Sequence, residues 1–401
     1  MQYLSNIVFT LLLVTTSLVF FLRVKKIRRN IFLGRPEQRT DNKIARFKQM
    51  CLVAIGQGKM VKKPVAGILH IIVYVGFVII NIEVLEIVID GVFGTHRIFA
   101  SSLGLGYDFL IASFEILAFS VLLACVLFLV RRFSNRIKRF KGVEMKAWPK
   151  KDALIILYAE VVLMTAFLLM NAADLKLQSI GFEGYISAGS FPVSDFLLPL
   201  LNDLSPNQIF ITERVCWWFH ILGILAFLNY LPFSKHFHII LAFPNVYYAR
   251  LTPKGQLDNM ESVKKEVELM MDPNADPYAT PSPADNEAST PMPFGAKDVT
   301  DLSWKSIMDS YTCTECGRCT DQCPANQTGK LLSPRKIMMD VRDRSEELGR
   351  FMDHSSKEEN DVKSLLNDYI TPEELWACTS CNACVEACPI NINPLNIIID
   401  L

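Results

Sequence analysis

The sequence predicts an all-α protein: a five-helix transmembrane bundle followed by a cytosolic α-helical domain built around cysteines. Three observations predict it. Five apolar stretches, each about long enough to cross a bilayer, fill the chain from residue 4 to about 243. The loops between them alternate between basic and basic-poor. One cysteine pattern then appears twice in the last quarter, first as Cys313-Thr-Glu-Cys316-Gly-Arg-Cys319-Thr-Asp-Gln-Cys323-Pro324 and again as Cys378-Thr-Ser-Cys381-Asn-Ala-Cys384-Val-Glu-Ala-Cys388-Pro389.

Leu4 to Leu22 is the first span. It lacks the basic n-region and small-residue cleavage site of a signal peptide, and Arg23-Val-Lys-Lys-Ile-Arg-Arg29 follows it. It reads as an uncleaved N-out anchor. Residues 23–63 are strongly basic, with Glu37 and Asp41 as the acidic exceptions. Pro64 to Ile89 is the second span, Gly91 to Gly106 a short loop, and Phe109 to Val130 the third span. The loop from Arg131 to Lys151 is basic again, and Ala153 to Met170 is the fourth span. Residues 171–208 set Lys176 against Asp174, Glu183, Asp195 and Asp203. Ile209 to Leu231 is the fifth span, continuing past Pro232 toward Leu241. Basic loops stay in the cytoplasm, so the N-terminus is outside and the C-terminus inside.

Residues 252–300 shift toward Pro, Asp, Asn, Ser and Thr, which reads as a short charged helix near 258–271 and then an extended linker. The expected division is a membrane domain over 1–250, a linker over 251–297 and a cysteine domain over 298–401. Within the last, Ser333-Pro334 opens a helix from Arg335 to Glu347, and a second helical pattern lies near Asp361 to Tyr369. No terminal cap follows Pro394 before Leu401, as in a truncated chain.

Composition agrees. Of 401 residues, 51% are hydrophobic, and mean hydropathy is +0.25, high for a soluble protein and pointing to membrane spans. Lys+Arg and Asp+Glu are equal at 41 each, so net charge says nothing about partners, and no nucleic-acid partner is expected. Closely spaced free cysteines need a reducing compartment, which places their domain in the cytosol, on the side the loop charges assign to the C-terminus. Cys51, Cys125 and Cys216 are scattered and read as inert.

Both cysteine runs follow C-x2-C-x2-C-x3-C-P, the bacterial ferredoxin run for [4Fe–4S] clusters, in which the fourth cysteine serves the other cluster. Three thiolates at steps of three wrap one loop around three corners of the cubane. The fourth lies past the start of a helix and points to the neighbouring cluster. Cys313, Cys316, Cys319 and Cys388 are thus expected to hold cluster one, and Cys378, Cys381, Cys384 and Cys323 cluster two. A zinc site closes at four ligands and leaves the third and fourth cysteines of each run surplus. Eight cysteines this tightly spaced cannot all pair as disulfides with good geometry.

Ionisable residues inside a span are costly and are functional candidates by default. His70 lies near the cytoplasmic end of span two, His220 in span five behind Trp217 and Trp218, and His236 and His238 after Pro232. Two imidazoles from facing helices are a common ligand set for haem b, and His70 and His238 fall at one depth. His220 stands 18 residues before His238, roughly 27 Å along an unbroken helix, and so at another level. Position alone leaves haem ligation and ordinary packing both open. His96 and His354 read as ordinary. Glu83, Glu86 and Glu115 read as reaching water at the outer end, and Glu160 lies deeper.

The stretch from Trp217-Trp-Phe-His220 through Leu231-Pro-Phe-Ser-Lys235-His-Phe-His238 resembles haem b membrane subunits of the nitrate reductase gamma type, including the membrane subunit of heterodisulfide reductase. Cys316-Gly-Arg-Cys319, Cys323-Pro-Ala325, Thr328-Gly-Lys-Leu-Leu-Ser-Pro-Arg335 and Leu375-Trp-Ala-Cys378-Thr379 resemble the iron–sulfur subunits of heterodisulfide reductase and of anaerobic glycerol-3-phosphate dehydrogenase. The resemblance implies five spans with the N-terminus outside and haem histidines on spans two and five. A second haem needs a histidine where this chain reads Val78-Ile-Ile-Asn81. The resemblance therefore supports one haem b on His70 and His238, and leaves His220 without its usual partner.

The expected function is electron transfer between the quinone pool and a cytosolic redox partner, through haem b and two [4Fe–4S] clusters, in a bacterial or archaeal cytoplasmic membrane. No G-x-G-x-x-G follows a strand, so no flavin or nicotinamide site is read. The substrate site of the oxidoreductase complex is then expected on another chain, a cysteine-rich heterodisulfide-reductase-like or flavin protein. The alternatives are a membrane-anchored ferredoxin that tethers a partner without haem or quinone, and a redox sensor with labile clusters.

Overall fold

The computed structural model describes residues 3–134, 136–253, 255–257, 259–273, 294–354 and 362–401. Among these, the regular elements are helices. There is no β-strand, and two isolated bridges join Arg35 to Ser303 and Leu366 to Ile370. In chain order the main helices are α1 (Leu4–Ile31), α2 (Lys43–Met50), α3 (Pro64–Phe93), α4 (Leu105–Phe133), α5 (Trp148–Ser179), α6 (Pro206–Tyr230), α7 (His238–Tyr247), α8 (Glu261–Met271), α9 (Trp304–Thr312), α10 (Pro334–His354) and α11 (Pro394–Asp400). Five of them, α1, α3, α4, α5 and α6, are long and apolar enough to cross a membrane. The charged helix read near 258–271 is α8. The stretch 274–293, where the extended linker was expected, and residue 361 of the second helical pattern lie outside the described residues.

The chain forms two compact units, Met1–Lys25 with Gln57–Phe237, and Lys26–Gly56 with His238–Leu401. In the first, α3, α4, α5 and α6 pack consecutively. Small residues let the helices approach: a Cβ on Gly76 would collide with Val121, and one on Gly223 with Leu163. Proline stands in the first turn of α3, α5 and α6, where its missing N–H costs nothing. At 25 to 32 residues these spans are about 38–48 Å long, more than the ~30 Å hydrocarbon layer. Their end turns therefore have room for polar side chains.

Those ends correct one expectation. Glu83, Glu86 and Glu115 do not reach water; they are 2%, 3% and 0% exposed. The connecting segments fold back over the helix ends and bring their own donors. Glu115 accepts the backbone N–H groups of Val193 and Ser194 at 2.9 Å each, the Ser194 hydroxyl, and Asn171 Nδ2 at 3.2 Å. Glu86 accepts Phe99 N–H at 2.9 Å and the Tyr107 hydroxyl at 2.8 Å. Burying Glu86 and Glu115 is tolerable because donors replace water.

Span five also differs from its expected course. Helix α6 ends at Tyr230, and two 3-10 turns, Leu231–Phe233 and Lys235–Phe237, intervene before α7. Buried Asp152, in the first turns of α5, holds this break. It accepts the hydroxyls of Tyr230 at 2.5 Å and Ser234 at 2.7 Å, and the Lys235 N–H at 3.2 Å. The helical rise that carries His220 therefore stops at Tyr230.

In the second unit the buried helix α9 is the centre. Ser303 caps it, α10 and α11 pack on it, and α7 lies against it. Residues 26–56 are built into the same unit. Arg35 N–H donates to Leu302 O at 2.7 Å, Trp304 N–H to Arg35 O at 3.1 Å, and Trp304 Nε1 to Glu37 O at 2.9 Å. Gly34 makes this approach possible, since a Cβ there would sit 2.7 Å from Leu302 O and 2.8 Å from Trp304 N. Lys305 and Asp309 form a buried pair on α9 at 2.6 Å.

Candidate iron-sulfur centres

The two cysteine runs fold alike, residue for residue. Cys313 closes α9, and Cys378 follows the short helix Pro372–Trp376, whose capping box is Thr371 with Glu374. Two residues on, Glu315 (φ 54°) and Ser380 (φ 52°) are left-handed, and two further on so are Gly317 (φ 71°) and Asn382 (φ 59°). L side chains rarely adopt this backbone, and a loop that must wrap a compact body requires it. The consequence is the same in both copies. Glu315 N–H donates to Cys313 Sγ and Ser380 N–H to Cys378 Sγ, each at 3.4 Å. Short helices follow, Arg318–Asp321 and Ala383–Ala387, which pack on each other. Cys323 then stands before Pro324, and Cys388 takes the N–H of Ile392 at 3.3 Å. Amide donors to sulfur are the outer-shell contacts that set thiolate orientation and cluster potential.

The fold brings the eight thiols together as two crossed sets. The thiol of Cys388 is within electrostatic reach of Cys313 and Cys319, which also reach Cys316. The thiol of Cys323 is within reach of Cys378 and Cys384, which also reach Cys381. The second set lines one small cavity, with Pro324, Leu332, Leu395 and Ile398 as its apolar wall. The sets are neighbours, since Cys319 also reaches Cys384. Burial pushes the Cys313 and Cys384 thiols up to about 12, so each thiol needs a cationic centre before it ionises at neutral pH.

The donor chemistry fits iron–sulfur clusters. Among the described residues no three His, Cys, Asp or Glu side chains converge closely enough for a single metal ion. A lone zinc would hold its thiolates about 3.8 Å apart, from Zn–S bonds of about 2.3 Å in a tetrahedron. Arg342 stands beside the first set, paired with buried Glu315 at 2.9 Å, and supplies positive charge near Cys313.

The histidines fall in different settings. His70 is half-buried in the second turn of α3, and His238 is half-buried at the start of α7, in the other unit. His220 is 1% exposed. Its Nδ1–H donates to Leu163 O at 3.0 Å, which leaves Nε2 buried without a hydrogen-bond partner. A carbonyl on one ring nitrogen and a bare lone pair on the other is how axial haem histidines are held. His236 lies 5.4 Å from the Phe227 ring, and His354 is exposed at the end of α10. His96, read as an ordinary loop residue, is half-buried with Nε2 at 3.2 Å from buried Asp174. Its only sequence signal was a histidine and an arginine together, His96-Arg97, in an otherwise basic-poor loop.

The family model of a 4Fe-4S dicluster domain matches residues 312–392, which hold both runs. Over 98% of its length the chain is 26% identical to the "Probable iron-sulfur-binding oxidoreductase FadF" of Bacillus subtilis and 23% identical to the EtfAB:quinone oxidoreductase of Syntrophomonas wolfei. It spans about half the length of these two relatives, 54% of each. Over 23% of the chain it is 32% identical to 45% of a protein of Methanosarcina acetivorans, a subunit of the ferredoxin/F(420)H(2)-dependent CoB-CoM heterodisulfide reductase. No solved structure matches the chain. The chain is an iron–sulfur, electron-transfer, oxidoreductase-like protein that carries a 4Fe-4S dicluster domain and five helices fit for a membrane.

Proposed function

We propose that the protein passes electrons between the quinone pool and a cytosolic redox partner, as one subunit of a larger oxidoreductase complex. The observation that carries this is the union, in one chain, of five long apolar helices with two crossed sets of four thiols. Cys313, Cys316, Cys319 and Cys388 hold one [4Fe–4S] cluster, and Cys378, Cys381, Cys384 and Cys323 the other. When bound, the clusters supply one-electron carriers. The protein's part is to gather the thiols, donate N–H groups to their sulfurs, and wall off water. Haem b belongs to the bundle, with His70 and His238 as the axial pair and His220 as the further candidate. For His220 the support is its buried bare Nε2. The quinone link has support in the similarity to the EtfAB:quinone oxidoreductase, and the complex in the similarity to a heterodisulfide reductase subunit. The C-terminal domain faces the cytosol of a bacterial or archaeal cell, and the final substrate reacts on a flavin or cysteine-rich partner chain.

Haem content tests the membrane half. The intact protein, purified in detergent, is expected to show a reducible b-type band with about one haem per chain. Alanine at His70 or His238 abolishes it if they are the axial pair; loss with His220→Ala alone moves the site to span five. Broad iron–sulfur absorption with no haem band in the parent protein contradicts the haem, and leaves a direct path from quinone to cluster or an anchored ferredoxin.

A further inference from the structure

At the end of the bundle that carries the Gly94–Arg97 loop, the first unit holds a partly open cavity of about 270 Å³. Helices α1, α3, α5 and α6 and that loop all contribute to its wall. Five carboxylates and two arginines line it, and four of the carboxylates already have donors. Asp90 accepts the Arg97 N–H at 2.8 Å. Glu86 holds Phe99 N–H and the Tyr107 hydroxyl, as described. Asp174 takes Arg97 through Nε at 2.7 Å and Nη2 at 2.6 Å. Glu213 takes the Tyr185 hydroxyl at 2.6 Å, together with Arg214.

Glu83 differs. It is 2% exposed, its Oε1 lies 3.8 Å from Arg97 Nη1, and its Oε2 has no hydrogen-bond partner. A buried carboxylate oxygen without a donor is costly and asks for one. His96 lines the same cavity and also has an unpartnered polar atom. Its Nε2 faces the Asp174 carboxylate, which accepts only, so in the tautomer this contact selects for the neutral ring the proton is on Nε2. The lone pair is then on Nδ1, which is buried and has no partner.

The rest of the wall says what kind of molecule brings those donors. Phe9, Met170, Trp217 and Trp218 give an apolar and aromatic side, with Phe9 5.5 Å from Trp217. An anion is excluded by the surplus of carboxylates. A bare cation would satisfy Glu83 and leave Nδ1 and the aromatic side idle. A flat, neutral ring with two hydroxyl donors uses all three. The volume, just below the range of drug-sized ligand pockets, suits one such ring.

We propose that this cavity binds the headgroup of a membrane hydroquinone, with Glu83 Oε2 and His96 Nδ1 accepting hydrogen bonds from its two hydroxyls. The assignment rests on the quinone-linked reading above and gives it a place. It also sets a preference. A hydroquinone donates and an oxidised quinone only accepts, so two acceptors favour the reduced form.

The test is anaerobic equilibrium binding of a short-chain benzohydroquinone, and separately of its quinone, to the intact protein in lipid nanodiscs. Quenching of tryptophan emission is the readout. The parent is expected to bind the hydroquinone more tightly. Glu83→Gln places an amide donor where a carboxyl oxygen stood; it should weaken hydroquinone binding about tenfold, the cost of leaving a buried donor unpaired, and narrow or reverse the preference. His96→Gln tests the other end independently, and Asp195→Asn, outside the cavity, should change nothing. Unchanged hydroquinone affinity in both Glu83→Gln and His96→Gln overturns the site. If hydroquinone still reduces the clusters of those variants, the quinone-linked function stands and its site lies elsewhere. A parent protein that binds no hydroquinone overturns both.

Discussion

Alanine at Cys388 should remove the same iron–sulfur centre as alanine at Cys313, although the two belong to different runs. The expectation follows from the crossed thiol sets, in which Cys388 joins Cys313, Cys316 and Cys319, and Cys323 joins Cys378, Cys381 and Cys384. Either single substitution should cost one cluster signal and up to about half the iron, four of the eight atoms two cubanes hold. The double variants separate crossed from uncrossed ligation. Cys313→Ala with Cys388→Ala damages one cluster twice and should be scarcely worse than either alone. Cys378→Ala with Cys388→Ala damages both and should lose nearly all the iron. Residues sharing one unit are non-additive, and residues in separate units add. Iron and acid-labile sulfide assays, with low-temperature electron paramagnetic resonance, read the result. The opposite pattern, near-complete loss for Cys313→Ala with Cys388→Ala, contradicts the assignment.

The second large effect lies in α9. Lys305 is 4% exposed and Asp309 3%, and they meet at 2.6 Å. Burial pulls the Lys305 ammonium below its usual range while Asp309 pushes it back up. Asn245 Oδ1 is its neutral acceptor at 3.0 Å, and Asn245 Nδ2 in turn donates to Ile390 O at 3.1 Å. Asp309 also receives the Asn393 N–H at 3.3 Å. The pair thus ties α7 and α9 to the backbone just after the second cysteine run. Asp309→Ala strands a buried ammonium and should cost about 3–5 kcal/mol, because an uncompensated buried charge is far worse than no charge. Lys305→Met with Asp309→Leu should recover most of that loss. The readout is thermal unfolding together with cluster retention. An Asp309→Ala variant that melts like the parent and keeps its iron contradicts this account of α9.

What the sequence made legible, and what it hid, divides along the range of the interactions. The five long apolar helices and the helical character were readable because each is a local property of some twenty residues. The paired motifs were readable because ligand spacing is local too. The equivalence of Glu315 with Ser380, both left-handed and both donating to the first sulfur, was latent in the repeat but needed the backbone to appear. The fate of the intramembrane carboxylates was not readable. Glu115 is buried because residues near 193 return to it from far along the chain, and no pattern around Glu115 announces that. Residues 26–56 carried their topological message as charge, while their packing on α9 depends on one permissive glycine, Gly34. His96 escaped notice for a similar reason, since it lies in a loop and its partner Asp174 is far along the chain on α5. The break before His238 had a local mark, Pro232, but the residue that fixes it is Asp152, distant in the chain.

Reduction of the clusters by a quinol analogue is the most direct test of the central claim, that this chain joins the quinone pool to iron–sulfur centres. The intact protein would be reconstituted in lipid vesicles without oxygen, mixed with the analogue over a range of quinol-to-quinone ratios, and followed by low-temperature electron paramagnetic resonance. The account predicts cluster signals that rise as the ratio rises and fall again when quinone is added back, with Cys313→Ala and Cys378→Ala each removing one centre. Clusters that dithionite reduces but no quinol-to-quinone ratio moves, in protein with full iron and intact helices, would contradict it.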